Sequence, residues 1–255
     1  MLSILRKSRL RKIDCEKGCA VTLCDVDKLI RGLLRYQQHA LPQRRELFEA
    51  LGKGQSPDTI FLTCADSRIE PNLLLQGEPG DLFQVRTVGN LIAPAPDGDR
   101  ASGDVSEAAA IEYGMLALNA KNIVVCGHSR CGAMAAVLDK PSLDRMPNLR
   151  TWLTHGVPSL DRVQRAEQID HALPLVEQLS QVNVLQQLDH LRTYKLVRER
   201  EEQGEVFLRA WWFDVATGEL YIFDTERGGF VLLDEEEGER ILNHHLKAPR
   251  LSFAP

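Results

Sequence analysis

Two short segments carry side chains able to bind a metal: Cys64-Ala65-Asp66-Ser67-Arg68 and Gly127-His128-Ser129-Arg130-Cys131-Gly132. Two thiolates and an imidazole suit zinc, with sulfur bonds of about 2.3 Å and nitrogen bonds of about 2.0–2.1 Å. Three protein ligands leave one position open, the pattern of catalytic rather than structural zinc. A metal held this way lowers the pKa of bound water to about 7 and creates hydroxide near neutral pH. A helix starting near Cys131 would lower that thiol's pKa and favour the thiolate. Asp66, two residues past Cys64, can reach the water, or the metal itself as a fourth ligand in a closed state. Arg68 can hold Asp66 in a charge-assisted fork and turn the carboxylate away from the metal. Asp66 is therefore the expected base or gate, and Arg68 its orienter.

Each segment follows a short apolar run, which supplies the element that must position it. Residues 59–63 are apolar and β-rich, ending at Cys64, and residues 81–85 and 122–126 read as two more strands. None alternates, which suits parallel strands covered on both faces. A helical stretch at 106–118, with Ala109, Ile111, Met115 and Leu118 available for burial, makes a strand–crossover–strand unit. Ligands gather beyond the carboxyl ends of strands in an open parallel sheet. Side-by-side placement of two such strands would bring Cys64, His128 and Cys131 to one point. Helices are further expected through Leu29, Leu33, Leu34 and Tyr36, capped by Asp25 or Asp27, then through Leu47 and Leu51. Residues 160–194 read as helical, 207–215 and 220–224 as a hairpin at the sheet edge, and 234–245 as a last helix. The fold class is α/β, a mostly parallel central sheet with flanking helices and an antiparallel edge hairpin near the C-terminus.

Other chemistries fit less well. A phosphatase-type thiol needs an arginine six residues later to hold phosphate, where Cys131 has Val137 and Cys64 has Glu70. The Gly127–Cys131 stretch resembles a G-x-S-x-G nucleophile elbow, but Cys131 stands in place of the last glycine. Cys126 reads as a packing residue. His39, His155, His171 and His190 lack ligand spacing and read as surface or satisfied core groups. Glu235-Glu236-Glu237 reads as a solvated helix start.

With 255 residues, 44% hydrophobic and 26% charged, the composition excludes a disordered chain, a collagen and a small disulfide scaffold. A net charge of -5 argues against nucleic-acid binding. No apolar run is long enough to span a membrane, and the N-terminus lacks the apolar core of a secretion signal. The expected location is cytoplasmic. Six cysteines in such a chain read as thiols or metal ligands rather than bridges; Cys15, Cys19 and Cys24 lack a CxxC pair. Residues 1–24 form a basic arm with Arg6, Lys7, Arg9, Arg11 and Lys12, a candidate element for docking to an acidic partner or anionic surface. Residues 25–255 read as a single domain.

The quoted residues resemble the β-class carbonic anhydrases. The match rests on both metal segments, on Gly80-Asp81-Leu82-Phe83 through Arg86, and on Gly89-Asn90-Leu91. The resemblance implies a Zn2+ enzyme interconverting CO2 and bicarbonate on a β-carbonic anhydrase-like fold. It implies a homodimer, or a higher even oligomer, with shared active sites. It also implies a substrate hydrogen-bonding role for Gln55 and a narrow apolar CO2 pocket lined by Phe83, Val88, Tyr113 and Gly132. Of these, Phe83 and Tyr113 would reach across from the partner subunit. Two departures stand out. Thr87 replaces an asparagine common after the arginine. Phe61 and Phe213 hold the places of a tryptophan and tyrosine that, with an arginine matching Arg86, form a regulatory bicarbonate site in some members. The related chemistry on COS or CS2 depends on pocket width, and docking within a larger CO2-handling assembly is the rival from the binding-protein class.

Overall fold

Apolar runs in the middle of the chain form a six-stranded sheet in the order β2-β1-β3-β4-β5-β6. The computed structural model describes residues 21–98, 100–165 and 170–247. The strands are β1 (Thr59–Cys64), β2 (Leu82–Thr87), β3 (Asn122–His128), β4 (Phe207–Phe213), β5 (Leu220–Asp224) and β6 (Gly229–Leu232). β2, β1, β3 and β4 run parallel; β5 and β6 complete the sheet antiparallel. β1 and β3 are buried along nearly their whole length, the reason they read as continuous apolar runs rather than alternating ones.

Alternation appears instead in which core each side chain joins. Ile60, Leu62, Ile123 and Val125 pack on one face with Ile111 and Met115 of the helix Ser106–Leu116 and with Val184, Leu185 and Leu188 of the helix Leu175–Thr193. Phe61, Val124 and Cys126 point to the other face, against Trp211 and Phe213. A further cluster at the carboxyl ends gathers Cys64, Cys131, Met134, Leu179 and Val182. The long helix Leu175–Thr193 thus contributes to both clusters on its side of the sheet.

The described residues pack as two units, one up to Gly54 and the other from Gln55 onward. The first contains the helices Val21–Arg35 and Arg45–Leu51, with a π-helical turn at Tyr36–Ala40 between them. The backbone is already helical at Val21, so Asp25 and Asp27 lie inside that helix and neither caps it. Cys15 and Cys19, with the arm up to residue 20, lie outside the described residues.

Several expected boundaries shift for physical reasons. The crossover helix stops at Leu116, and it buries Glu107, Ala108, Ile111, Gly114 and Met115 while Ala109 is exposed. The 160–194 stretch is not continuous: one helix ends at Gln164, and another starts at Leu175 after Pro174, where proline fixes an extended backbone. β6 was not expected from the sequence, and it displaces the β4–β5 hairpin from the sheet edge. Glu237 is buried and paired with Arg240 and Arg227 rather than solvated. No helix among the described residues is long and apolar enough to cross a membrane.

The helix Leu175–Thr193 comes close to the sheet at Gly127, the first residue of the second metal-bearing segment. A Cβ there would stand 2.5 Å from Val184 Cγ2 and 3.3 Å from the Ser180 carbonyl oxygen. Gly127→Ala is expected to cost about 1–3 kcal/mol through overpacking, measured as a lower urea midpoint with an unchanged slope.

Candidate metal centre

The β1–β3 ladder sets Thr63 beside Cys126, so Cys64 at the end of β1 and His128 at the end of β3 emerge on the same edge. After β3 the chain turns through Arg130, whose φ of 55° is unusual for a non-glycine residue. That turn delivers Cys131 to the N-cap of the helix Gly132–Asp139. The ligand atoms of Cys64, His128 and Cys131 all lie within 4.8 Å of one another, and all three residues are buried. Ligand atoms around tetrahedral zinc stand roughly 3.5–4 Å apart, so the cluster has the right size.

The imidazole is poised for a metal. His128 Nδ1 lies 2.8 Å from the Ser129 carbonyl oxygen, an acceptor, so Nδ1 carries the proton. Nε2, which then holds the free lone pair, is buried with no hydrogen-bond partner. An orphaned buried acceptor is costly, and a metal ion removes that cost. The three residues therefore fit zinc.

The thiols are strongly coupled. A hydrogen bond from Cys131 and that of the Gly89 N–H pull Cys64 toward the thiolate against the effect of burial. The Gly89 N–H donates directly to Cys64 Sγ at 3.2 Å. Cys131 moves the other way, pushed up by the hydrogen bond to Cys64, by burial and by the Cys64 charge. The N–H groups of Met134 and Ala133 at the helix start do pull it down, as expected, but they are outweighed. A dication among these sulfurs takes both as thiolates.

Asp66 and Arg68 form a fork. Arg68 Nε donates to Asp66 Oδ1 at 2.9 Å, Nη2 to Oδ2 at 2.7 Å, and the Arg68 N–H to Oδ1 at 2.9 Å. These bonds hold the Asp66 carboxyl far below the usual carboxylate range. Asp66 Oδ2 stands 4.0 Å from His128 Nε2, beside the centre. Arg68 Nη2 also reaches the Arg130 carbonyl at 3.1 Å, joining the loop after β1 to the loop after β3.

The expected substrate residues fall into two places. Val88 and Gly132, both exposed, sit at the same end of the sheet as the ligands. Phe83 pairs in register with Ile60, four residues back from the Cys64–Thr87 pair, roughly 13 Å along the strand. Tyr113 packs on Phe83 with ring centroids 5.9 Å apart and is half exposed. Gln55 is exposed and precedes β1, which Cys64 ends. A broad cavity of about 940 Å³ opens beside β2, lined by Arg86, Val88, Glu107, Trp152 and His155 among others, but by none of the three ligands.

Ser129, the candidate of the hydrolase reading, is buried and occupied. Its Oγ donates to Asp214 Oδ1 at 3.0 Å and accepts from the Val215 N–H at 2.9 Å, tying β3 to the end of β4. Sequence reasoning assigned no local task to Arg86. Its guanidinium donates to the carbonyls of Cys64 (3.1 Å), Asp66 (2.7 Å) and Ile69 (2.8 Å), clamping the loop after β1.

Comparison with known proteins gives a consistent result. A family model described as carbonic anhydrase matches residues 59–220. A carbonic anhydrase of Synechococcus elongatus is 42% identical over 76% of this chain and 70% of its own length. One from Pseudomonas aeruginosa is 38% identical over 81% of this chain and 91% of its own. Among solved structures, the β-carbonic anhydrase CcaA superposes with a TM-score of 0.74 at 36% identity, covering 82% of this chain and 99% of that one. A tetrameric β-carbonic anhydrase of Sordaria macrospora gives 0.65 at 26% identity, covering 78% of this chain and 96% of that one.

Arg86→Leu would strip three carbonyls of their charged donor. Stability is expected to fall by about 1–3 kcal/mol in urea unfolding. Arg86→Lys is expected to recover less than half of that, because a point ammonium cannot span three acceptors as a planar guanidinium does.

Proposed function

The chain belongs to the β-class carbonic anhydrases, a family of zinc enzymes, and from that premise we propose that it interconverts CO2 and bicarbonate at Cys64, His128 and Cys131, with Asp66 and Arg68 as a gating and proton-handling pair. The observation that carries the reading is the convergence of two thiols and an imidazole with a vacant Nε2 at the ends of adjacent parallel strands. Beside them stands a carboxylate already held in an arginine fork. Zinc, when bound there, supplies a water-derived nucleophile near neutral pH.

The chain's own residues supply the rest. The Ser129 carbonyl keeps the His128 proton on Nδ1 and so keeps Nε2 available. An ionised Asp66 can only accept hydrogen bonds, which suits it to take a proton or to orient a water at Oδ2, the oxygen nearest His128. To ligate the metal in a closed state, Asp66 must leave Arg68, and that exchange is the gate. CO2 carries no net charge, so Val88 and Gly132 can admit it on an apolar surface where a charged competitor pays desolvation. Phe83 lies too far down β2 to meet its own centre, and Tyr113, on the helix Ser106–Leu116, packs against it. Their position supports a role in the partner's pocket within a homodimer or higher even oligomer, with Gln55 hydrogen-bonding the substrate.

Zinc removal by a chelator is expected to abolish CO2 hydration, and zinc addition to restore it. Asp66→Ala and Arg68→Ala are each expected to lower kcat about 100-fold or more in stopped-flow assays with the thermal midpoint retained. Full turnover in either variant would remove the role assigned to that residue.

Phe61 is buried within an apolar cluster beside Trp211 and Phe213, and Arg86 is engaged with loop carbonyls. Neither phenylalanine offers a polar hydrogen to an anion. Rate measurements across a bicarbonate series are therefore expected to lack slow, cooperative inhibition; its appearance would overturn this reading.

A further inference from the structure

We infer that the helix Leu175–Thr193 is the positioning frame of the metal centre, with Ser180 holding the backbone of His128 and Asn183 holding the Gly89 residue whose N–H donates to Cys64. This inference rests on the assignment of Cys64, His128 and Cys131 as those ligands. The helix is buried around most of its circumference, polar residues included. Glu177, Ser180, Asn183 and Gln187 are spaced three, three and four residues apart, which places them in one stripe along the helix. Glu177 and Ser180 bond to backbone of the metal-bearing segment after β3, and Asn183 and Gln187 bond to backbone of the segment Gly89–Ile92 after β2. Both Glu177 carboxylate oxygens accept the Arg130 N–H at 3.0 Å. Ser180 Oγ donates to the His128 carbonyl at 2.7 Å. Asn183 Nδ2 donates to the Gly89 carbonyl at 3.1 Å. Gln187 Oε1 accepts the Ile92 N–H at 2.8 Å.

The stripe is itself fixed. Trp212 Nε1 donates to Ser180 Oγ at 3.1 Å. Asn183 Oδ1 accepts from Ser159 Oγ at 3.0 Å and from Gln187 Nε2 at 2.9 Å. Asn183 and Gln187 are fully buried, and Ser180 nearly so. Buried polar side chains are costly unless paired, and these pair with one another and with the loops. The consequence reaches two ligands, His128 directly and Cys64 through Gly89. Ser180 holds the main chain of His128, and Asn183 holds Gly89, whose N–H donates to Cys64 Sγ. Partners of this outer kind orient metal ligands and raise affinity, commonly 10–100-fold.

The test uses the full-length zinc protein and measures zinc release into excess chelator. It compares Ser180→Ala and Asn183→Leu with Thr193→Val. Thr193 lies on the same helix and accepts the Ala95 N–H at 2.8 Å, away from the metal loops, so it reports general destabilisation. Ser180→Ala and Asn183→Leu are expected to release zinc roughly 10–100-fold faster than wild type, and Thr193→Val within about twofold. In the cobalt-substituted protein, Asn183→Leu is expected to shift the thiolate-to-metal absorption band. Wild-type release from Ser180→Ala, or equal acceleration in Thr193→Val, would overturn the inference. Ser180→Ala, which deletes one oxygen, decides alone if Asn183→Leu does not fold. Wild-type protein that fails to hold one zinc per chain would instead overturn the ligand assignment, before any variant is compared.

Discussion

Across the parallel ladder between β1 and β3, Thr63 stands beside Cys126, and its hydroxyl donates to the Cys126 carbonyl at 2.8 Å. This register is the constraint on which the metal centre depends. Side chains alternate faces along a strand, so a slip of one residue would send Cys64 to the opposite side of the sheet from the helix Leu175–Thr193. The burial pattern opposes that slip: Ile60 and Leu62 fill the core on the Cys64 side, and Phe61 fills the other. The hydrophobic effect, acting on residues that bind nothing, thereby positions the sulfur.

The two arginines at the site answer different electrostatic needs. Arg86 neutralises three carbonyl dipoles at the end of β1 and gives the loop its shape. Arg68 pairs with a side chain, and its own side chain is 43% exposed. Ion pairs so exposed typically contribute only about 0–1 kcal/mol. The Asp66–Arg68 fork is therefore a weak source of stability, and what it fixes is the direction of the carboxylate.

Polar groups inside the protein follow a similar economy. Glu107 accepts the Ala93 N–H at 2.9 Å, Tyr194 donates to the Ala93 carbonyl at 2.6 Å, and His190 donates to the Ile92 carbonyl at 2.7 Å. The segment through Leu91, Ile92 and Ala93 is buried without being helix or strand, so side chains must satisfy its peptide groups. Burial lowers the His190 pKa, against the hydrogen bond to Ile92, which raises it. This accounts for the buried polar residues that an apolar-periodicity reading assigns to solvent, and it continues the support of the ligand-bearing loops into the chain beyond Gly89.

By itself the sequence determined the donor set, the strands that end in Cys64 and run into His128, and the pairing of Asp66 with Arg68. Each is local: an apolar run, a spacing of a few residues, a carboxylate next to a guanidinium. The parallel character of the sheet was equally legible, because strands covered on both faces lose their alternation. The tertiary structure alone decided the short strand β6, the clamp made by Arg86, and which helical polar residues turn inward. Ser180 and His128 are 52 residues apart, and Asn183 and Gly89 are 94 apart. Hydrogen bonds over such separations leave no periodic mark in a chain, since they arise only when packing brings a helix face against a loop whose peptide groups have no other partner.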